Sequence, residues 1–409
     1  MTWFLTDEHK QLRQRVRDFA ENEIKPRVAA MESTAAVEYE AVDLIARLGW
    51  IGVTIGAEYG GMGAGHVAKA IIIQELARIS AAMGAAAQAS MLGVAKILHF
   101  GTDEQKKTWL PAIAAGSTLP TIAVTEPGSG GHVLGMEATA RRKNKGKDKG
   151  WVLNGRKVFI GNAHVGHLHG VVVRTARRRK RPDDDDSRAL SAFLVESDRP
   201  GLTLADHEPL TGLRGFSCGE LTFTDCWIPD NNLIGDLGDG LDVAYSSSIL
   251  YGRPNLAAVA LGVHQAVIED TVRFAQTRVR YGSPLFKLPT VKRGIGLMKH
   301  RLMTAQGTLY NAVHTLDLNR DLAKDQRHPC DAELMNAKYT NADSAIDSAR
   351  DALRIQAADG LKTGNPLERF LRDSFCIEPP AGTGDIQLRR LAETALGTYR
   401  GQMSQRFAA

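Results

Sequence analysis

The sequence has little cysteine, few aromatic residues and no large excess of charge of either sign. Its 409 residues include 4 cysteines and 6% aromatic residues, and the formal net charge is +5. Four cysteines cannot form the disulfide framework of so long a chain, and they lack the CxxC spacing of a metal site. Alanine is frequent among the 43% hydrophobic residues, which favours helices packed through small side chains. We therefore expect a globular, mainly helical protein of a reducing compartment, without a bound metal.

Much of the positive charge lies in one segment that also carries acids. The segment RTARRRKRPDDDDSR, residues 174–188, places Arg174 to Arg181 directly before Asp183 to Asp186. A self-neutralising run is typical of a solvated loop, whereas a nucleic-acid site needs a basic face on a folded surface. The composition therefore argues against nucleic-acid binding.

Neither the N-terminus nor the apolar segments are typical of a membrane protein. The first twenty residues, MTWFLTDEHKQLRQRVRDFA, carry charges where a signal peptide needs an apolar run. Charged residues such as Lys69, Glu75 and Arg78 interrupt a later apolar stretch. We expect a cytoplasmic protein that does not cross a membrane.

The order of hydrophobic patterns predicts three domains. Apolar residues recur at helical spacing from Asp7, behind Thr6 as a helix N-cap, to about residue 114. Short β-rich runs follow Pro120, and long helical patterns return from about Leu233. The predicted fold class is mainly α with a central β domain, divided at 1–119, 120–232 and 233–409, with a C-terminal four-helix bundle. A sheet between two helical domains leaves a crevice that suits a cofactor.

Four motifs, in order along nearly the whole chain, resemble the acyl-CoA dehydrogenase family. They are AVTEPGSGGHV (123–133), GRKVFIGNA (155–163), RVRYGSPL (278–285) and NPLERFLRDSFCIEPPAGTGDIQLRR (365–390). The resemblance implies an N-terminal α-helical domain, a middle β-barrel-like domain, a C-terminal four-helix bundle and bound FAD. It also implies assembly as a homotetramer or homodimer, and a substrate that is an acyl thioester of CoA or of an acyl carrier protein.

The resemblance assigns residues of each motif to FAD. Thr125 would lie beside the flavin ring, Phe159 stands where the family usually has Trp, and Gly161 where it has Thr. The arginine motif at 278–281 would reach the pyrophosphate and adenosine, often across a subunit interface. The complete implied set is Val124, Thr125, Gly130, Gly131, Phe159, Ile160, Gly161, Arg278, Arg280, Tyr281, Gly382 and Thr383.

The family's base is missing from the sequence. In most members a Glu removes the α-proton of the thioester, and that position is Ala381 here; other members place the Glu where this chain has Gly252. The amide N–H of residue 381, which in the family polarises the thioester carbonyl, survives the substitution. The resemblance also assigns Arg253 and its neighbour Tyr251 to the substrate.

Three readings remain open from the sequence. A relocated base, Glu378 or Asp385, would let the chain desaturate an acyl thioester, although either acid also suits a structural role near the last helix. Loss of the base is equally expected of a flavin monooxygenase or oxidase on this fold, for which oxygen would be a partner instead of another electron acceptor. A flavin-binding protein with little catalysis is the third.

Overall fold

The structure is a computed structural model that describes residues 5–143, 149–176 and 186–407. Most of the charged segment 174–188 therefore lies outside the described residues. At its two edges, Arg174 Nη1 donates to Asp186 Oδ2 at 2.7 Å.

Helices occupy both ends of the chain and strands the middle, as the patterns predict. The N-terminal helices are α1 Asp7–Phe19, α2 Val28–Thr34, α3 Tyr39–Arg47, α4 Gly65–Ile79, α5 Ala81–Phe100 and α6 Asp103–Ala114. The strands are β1 Pro120–Ala123, β2 Thr139–Lys143, β3 Gly150–Gly161, β4 Leu168–Arg174, β5 Leu190–Glu196, β6 Leu202–Leu204, β7 Cys218–Pro229 and β8 Leu233–Ile234. The C-terminal elements are α7 Gly240–Ser246, α8 Arg253–Thr277, the strand pair β9 Val279–Arg280 and β10 Ser283–Pro284, α9 Pro289–Arg320, α10 Asp331–Gln356, α11 Pro366–Ile377, α12 Gly384–Ala395 and α13 Met403–Arg406.

The predicted start of α1 is confirmed in detail. The Thr6 hydroxyl accepts from the backbone N–H of His9, and the Thr6 N–H donates to His9 Nδ1. This reciprocal cap satisfies two of the N–H groups that a helix start leaves without partners.

The first and last helical regions share one hydrophobic core. Helix α4 packs against α1, α5 and α8, and nearly all of its side chains are buried. Helix α5 is long and apolar enough to span a membrane, but 89% of its apolar window is buried inside the fold. It is therefore accounted for as a core helix that separates the sheet from the C-terminal bundle.

The central sheet has the strand order β6-β7-β3-β2-β4-β5-β8, with β1 parallel to β4. Strands β3 and β7 are both 12 residues long and pair antiparallel. Their register shifts between Lys157 and Ile160, so that one residue of β3 leaves the regular ladder there. That irregularity falls inside the second flavin motif.

The C-terminal region is built on three long helices, α8, α9 and α10, of 25, 32 and 26 residues. Helices α11 and α12 pack against α10, and α11 also packs against α8. Helix α8 follows a six-residue π-helical turn, Ser247–Gly252. Helix α8 ends at Thr277. Residues 279–284 then turn back as the β9–β10 hairpin.

Candidate active site

The first flavin motif is fixed to the sheet by a buried ion pair. Lys157 Nζ donates to Glu126 Oε1 at 2.7 Å and to the Val124 carbonyl at 2.9 Å. The Glu126 carboxylate also accepts from the backbone N–H groups of Glu137 and Ala138, at 2.6 and 3.1 Å. Burial lowers the pKa of Lys157 to about 8, and Glu126 opposes that shift. These bonds hold both ends of the loop 124–138 against β3, so its backbone is prearranged.

Thr125 lies on this anchored loop, beside the second motif. Its carbonyl accepts from the Val158 N–H at 2.9 Å, which joins the two motifs directly. The glycines that follow leave open space: a Cβ on Gly130 would meet nothing within 4 Å, and one on Gly131 would meet only the Ile386 side chain, at 3.6 and 3.9 Å. The loop can therefore be approached closely by a ligand.

Phe159 projects out of the sheet at the register shift. Its φ is +57°, an uncommon conformation for a bulky residue that often marks a functional position. The side chain is 73% exposed, although an aromatic ring is normally packed, while its neighbour Ile160 is buried. An exposed, fixed ring at this place fits an aromatic wall against a planar cofactor.

Gly161 explains why the family's threonine is lost here. A Cβ at this position would lie 3.0 Å from Ala89 Cβ and 3.1 Å from Phe216 Cζ, so a threonine would require its neighbours to move. The contact with Ala89 also places β3 directly against α5. Glycine at this position therefore permits close packing between the sheet and the core helix.

The two positions that the family uses for a base share one space. A Cβ on Gly252 would lie 3.2 Å from Ala381 Cβ and 3.8 Å from Leu92 Cδ1. Leu92 is one turn from Ala89 on α5, so the same face of that helix meets both Gly161 and Gly252. We call the space between Gly252 and Ala381 the base gap. It adjoins the flavin motifs across one helix face, and the three atoms nearest to the Gly252 Cβ position, which belong to Ala381, Ser247 and Leu92, include no carboxylate oxygen.

Ala381 is held by a residue that the sequence reasoning missed. Its φ is +57°, a left-handed conformation that costs an alanine about 1 kcal/mol. The side-chain amide of Gln387, which is fully buried, donates to the carbonyls of Ala381 and Gly382 at 3.1 and 2.9 Å. Among the described residues nothing accepts a hydrogen bond from the Ala381 N–H. The loop geometry persists without the side chain that it supports in the family, and Gly382 and Thr383 lie in it.

The two proposed replacement bases are placed elsewhere. Glu378 Oε1 accepts from the Gly384 N–H at 2.5 Å, and Lys338 Nζ donates to the Glu378 carbonyl. Glu378 therefore caps α12. Asp385 lies in the first turn of α12 and is exposed. An acidic side chain at this place interacts favourably with the helix dipole. The hydrogen bond of Glu378 and the exposure of Asp385 fit structural roles at the start of α12, and the relocated base stays a prediction.

Arg253, the residue after Gly252, is buried, with only 4% of its surface exposed. Within the described part of the chain its Nε and Nη1 have no hydrogen-bond partner. Burial lowers the pKa of the guanidinium, an effect that Tyr399 and Asp331 oppose and that Arg390 reinforces. A guanidinium is nevertheless always charged in proteins, so this is a buried cation with two unsatisfied nitrogens, Nε and Nη1.

Tyr251 faces a different part of the interior. Its ring lies 3.8 Å from Lys69 Nζ and 4.9 Å from the His66 ring, and both of these residues belong to α4. Lys69 Nζ is also 2.6 Å from His66 Nδ1. The structure therefore directs Tyr251 toward the N-terminal helices, away from the Ala381 loop.

The arginine motif is remote from the other flavin residues of the same chain. Arg278 pairs with Asp359 at 3.1 Å, and Tyr281 is 92% exposed on the β9–β10 hairpin with Arg280. A helix of 25 residues is about 37 Å long, and α8 separates this hairpin from Gly252 by that distance. One chain does not bring these residues to Thr125, so a role at FAD would require a second chain.

Comparisons with known proteins match the chain along its length. Sequence profiles of the N-terminal, middle and C-terminal domains of acyl-CoA dehydrogenases match residues 6–117, 121–226 and 238–396. An acyl-CoA dehydrogenase of Bacillus subtilis (strain 168) is 34% identical over 396 residues, which is 96% of this chain and 99% of that protein. The structure of butyryl-CoA dehydrogenase from Megasphaera elsdenii has a TM-score of 0.89 and 26% identity, covering 97% of this chain and all of the other.

A related structure agrees with the prediction that the cofactor is FAD. An acyl-CoA dehydrogenase of Bacillus anthracis, solved in complex with FAD, has a TM-score of 0.87 and 26% identity, covering 96% of this chain and 68% of that chain. Together with the exposed Phe159 and the open, anchored Thr125 loop, this supports FAD as the cofactor. The protein is a flavin oxidoreductase that acts on CH–CH groups of acyl thioesters. The chain belongs to the acyl-CoA dehydrogenase family.

Proposed function

We propose that this protein desaturates an acyl thioester between its α and β carbons and that the α-proton passes to a relocated carboxylate, for which Glu378 and Asp385 are the candidates. The observation that carries the proposal is the Ala381 loop, which Gln387 holds in a left-handed conformation with the Ala381 N–H unpaired among the described residues. Strain of this kind persists only where the surrounding structure maintains it, often for a functional reason.

In the proposed reaction, different residues bind the thioester, hold the flavin and exclude water. The Ala381 N–H donates to the thioester carbonyl and so stabilises negative charge that develops on its oxygen when the α-proton leaves. Phe159 and the Thr125 loop would hold and orient the flavin, which when bound would supply the acceptor for the β-hydrogen. Gly161 and Ala89 close the space between the sheet and α5, which keeps water from that side.

Removal of the α-proton is the step that this chain supports least. A positioned general base typically contributes 10²–10⁴-fold to a rate, and the base gap contains none. Glu378 would have to give up its bond to the Gly384 N–H before it could serve. We infer that ordinary fatty acyl thioesters are desaturated slowly.

A second candidate is a flavin-dependent monooxygenase or oxidase on the same scaffold. The missing carboxylate favours the monooxygenase, because the reaction of reduced flavin with oxygen needs no α-proton abstraction. The structure of a prolyl acyl carrier protein oxidase, 25% identical over 95% of this chain, has this fold. A flavin-binding protein with little catalysis remains the third reading.

The proposal also covers the carrier of the acyl group, the electron acceptor, the oligomeric state and the location of the protein. The thioester is carried by CoA or by an acyl carrier protein, and the electrons pass to a protein acceptor or to oxygen. The remote hairpin at 279–284 would complete the FAD site of a second copy in a homotetramer or homodimer. We place the protein in the cytoplasm.

The deciding experiment is anaerobic mixing of the FAD-loaded protein with acyl thioesters, followed by product mass analysis. Desaturation predicts bleaching of the oxidised flavin and a product lighter by two hydrogens. Bleaching that requires an added reductant, with an oxygen gained in air, would support the second candidate. Flavin that binds but stays oxidised under every condition would support the third.

A further inference from the structure

A short segment that follows α12 folds back onto the start of α8. It comprises residues 397–407, includes α13, and we call it the strap. Its α13 packs against α7, α9 and the π-helical turn Ser247–Gly252, and the side chains of Met403 and Ser404 are buried. The strap therefore contacts the same turn whose last residue, Gly252, lines the base gap.

One carboxylate holds the middle of the strap. Asp331 Oδ2, at the start of α10, accepts from Tyr399 Oη and from the Met403 N–H, both at 2.7 Å. Asp331 Oδ1 accepts from the Ser404 N–H at 2.8 Å, and the adjoining Cys330 N–H donates to Ser404 Oγ at 2.8 Å. Hydrogen bonds to a carboxylate are stronger than those between neutral groups, so this cluster fixes the closed position of the strap.

The far end of the strap is held by more peripheral contacts. The Phe407 ring lies 4.9 Å from the Phe100 ring and 5.8 Å from the His99 ring, both at the end of α5. Arg406 Nη1 donates to Asp242 Oδ1 of α7 at 2.9 Å, but the arginine side chain is 40% exposed. Exposed ion pairs contribute little to stability, so the closed position depends chiefly on Asp331.

A cation with unsatisfied nitrogens lies near the anchor of the strap. Tyr399 and Asp331 both interact electrostatically with Arg253, whose guanidinium is buried. Within the described part of the chain, Nε and Nη1 of Arg253 have no hydrogen-bond partner. Keeping such groups from water costs free energy. The bonds of the closed strap therefore coexist with a buried charge that opposes them.

We propose that the strap is an autoinhibitory latch: when closed it blocks the approach to the thioester site at the start of α8, and it swings away about Gly397 before an acyl thioester binds. Gly397 has a φ of +69°, and a Cβ there would meet none of the described atoms within 4 Å, so the chain turns sharply in open space at this point. Opening breaks the Asp331 bonds but lets water or the thioester reach Arg253, and these opposing terms permit two positions. The inference rests on the proposed function, because it takes the ligand to be an acyl thioester.

Gly401 offers a variant that opens the strap from a distance. A Cβ on Gly401 would collide with the Tyr399 hydroxyl, so Gly401→Val should displace that hydroxyl from Asp331. The matched control is Gly307→Val on α9, where a Cβ would meet none of the described atoms within 4 Å. Phe407→Ala removes the aromatic contact at the far end and gives a second opened form, should the first variant not fold.

Cys330 reports the position of the strap without any ligand, because it is buried and its N–H is bonded to Ser404. The FAD-loaded protein is treated with N-ethylmaleimide, and peptide mass analysis follows the modification of each cysteine. We expect labelling of Cys330 to be about tenfold faster in Gly401→Val than in the natural protein or the Gly307→Val control. Labelling of Cys226, which is buried in the sheet domain, should be equal in all three. Equal labelling of Cys330 would contradict the latch.

Butyryl-CoA should itself open the strap of the natural protein. A ligand that binds only the open form raises the population of that form, so labelling of Cys330 should become faster when butyryl-CoA is bound. Slower labelling would mean that the strap closes over the ligand, and unchanged labelling would mean that the strap does not move. Either result would overturn the proposal.

The binding kinetics of butyryl-CoA complete the test. Association is followed without air by the change in flavin absorbance, and we expect the dissociation constant to fall about tenfold or more in Gly401→Val but not in Gly307→Val. Equal constants in the natural protein and both opened variants would refute the latch alone. Absence of binding to a variant whose Cys330 is exposed would refute the latch together with the thioester assignment. Tighter binding without flavin reduction would support the latch and count only against desaturation.

Discussion

Two regions that adjoin the same face of α5 have changed in different ways: the base gap and the flavin wall, by which we mean the loop 124–138 and Phe159 with the buried pair that anchors them. The flavin wall keeps its scaffold and its chemistry: the Lys157–Glu126 pair, the anchored loop and an exposed aromatic ring at Phe159. The base gap keeps only its scaffold, because Gln387 still holds the strained loop whose carboxylate has gone. The difference teaches that the backbone geometry of a site and the group that reacts there are separable properties of the sequence.

Restoring the carboxylate should have the largest effect. In Ala381→Glu we expect desaturation of an ordinary acyl-CoA to rise about 10²–10⁴-fold, because a general base contributes that much and the loop is already in position. The rate of anaerobic flavin reduction by butyryl-CoA measures it. The control Ala381→Gln has nearly the same shape and no basicity, and an equal rise there would show that packing rather than proton transfer is responsible.

The second largest effect should come from breaking the buried ion pair between Lys157 and Glu126. In Lys157→Met the Glu126 carboxylate remains buried without its cation, which costs about 3–5 kcal/mol. We expect a lower free energy of unfolding in urea and weakened FAD retention on gel filtration. The double variant Lys157→Met with Glu126→Gln removes both charges and should recover much of the loss; a double variant no better than the single one would contradict this account.

A pH dependence should arise at Asp373, on the α11 face that binds the loop 212–216. Its Oδ1 accepts from the Leu213 N–H at 2.7 Å, and burial raises its pKa to about 6 from 3.8. Between pH 4 and 6 the folded chain holds this proton while the unfolded chain does not, so stability falls as pH rises and the loss is complete above pH 6. Relative to Asp373→Asn, the natural protein should lose about 2–3 kcal/mol from pH 4 to 7. Parallel curves for the two proteins in urea titrations would rule this out.

The smallest effect should come from Glu378. As a cap of α12, its replacement in Glu378→Gln should lower the free energy of unfolding by about 1 kcal/mol and leave the rate of flavin reduction unchanged. If the rate of flavin reduction instead falls at least tenfold while stability barely changes, Glu378 is the relocated base and the contrast between the two regions disappears.

The sequence was sufficient for the features that depend on local pattern. Helical periodicity and the Thr6 cap located α1, and the motif order placed Thr125 and Phe159 on adjoining segments because each sits in its own recognisable run. The partners of long-range contacts could not be read in this way. Lys157 and Glu126 lie 31 residues apart, and nothing local distinguishes them from surface charges.

Two further differences between the sequence predictions and the structure also depend on long-range contacts. The sequence allowed Glu378 to be either a base or a helix acid, and only the position of the Gly384 N–H decides for the cap. Arg278 and Arg280 belong to a flavin motif, but the length of α8 carries them far from the remaining flavin residues. The spacing of the motifs along the sequence does not predict this separation in space.

The wide π-helical turn at 247–252 has an evolutionary consequence. Such a turn holds one residue more than an α-helical turn, so that deleting a single residue here would restore regular winding and rotate Gly252 by about 100° away from Ala381. One codon gained or lost could thus open or close this part of the site without altering any side chain that lines it.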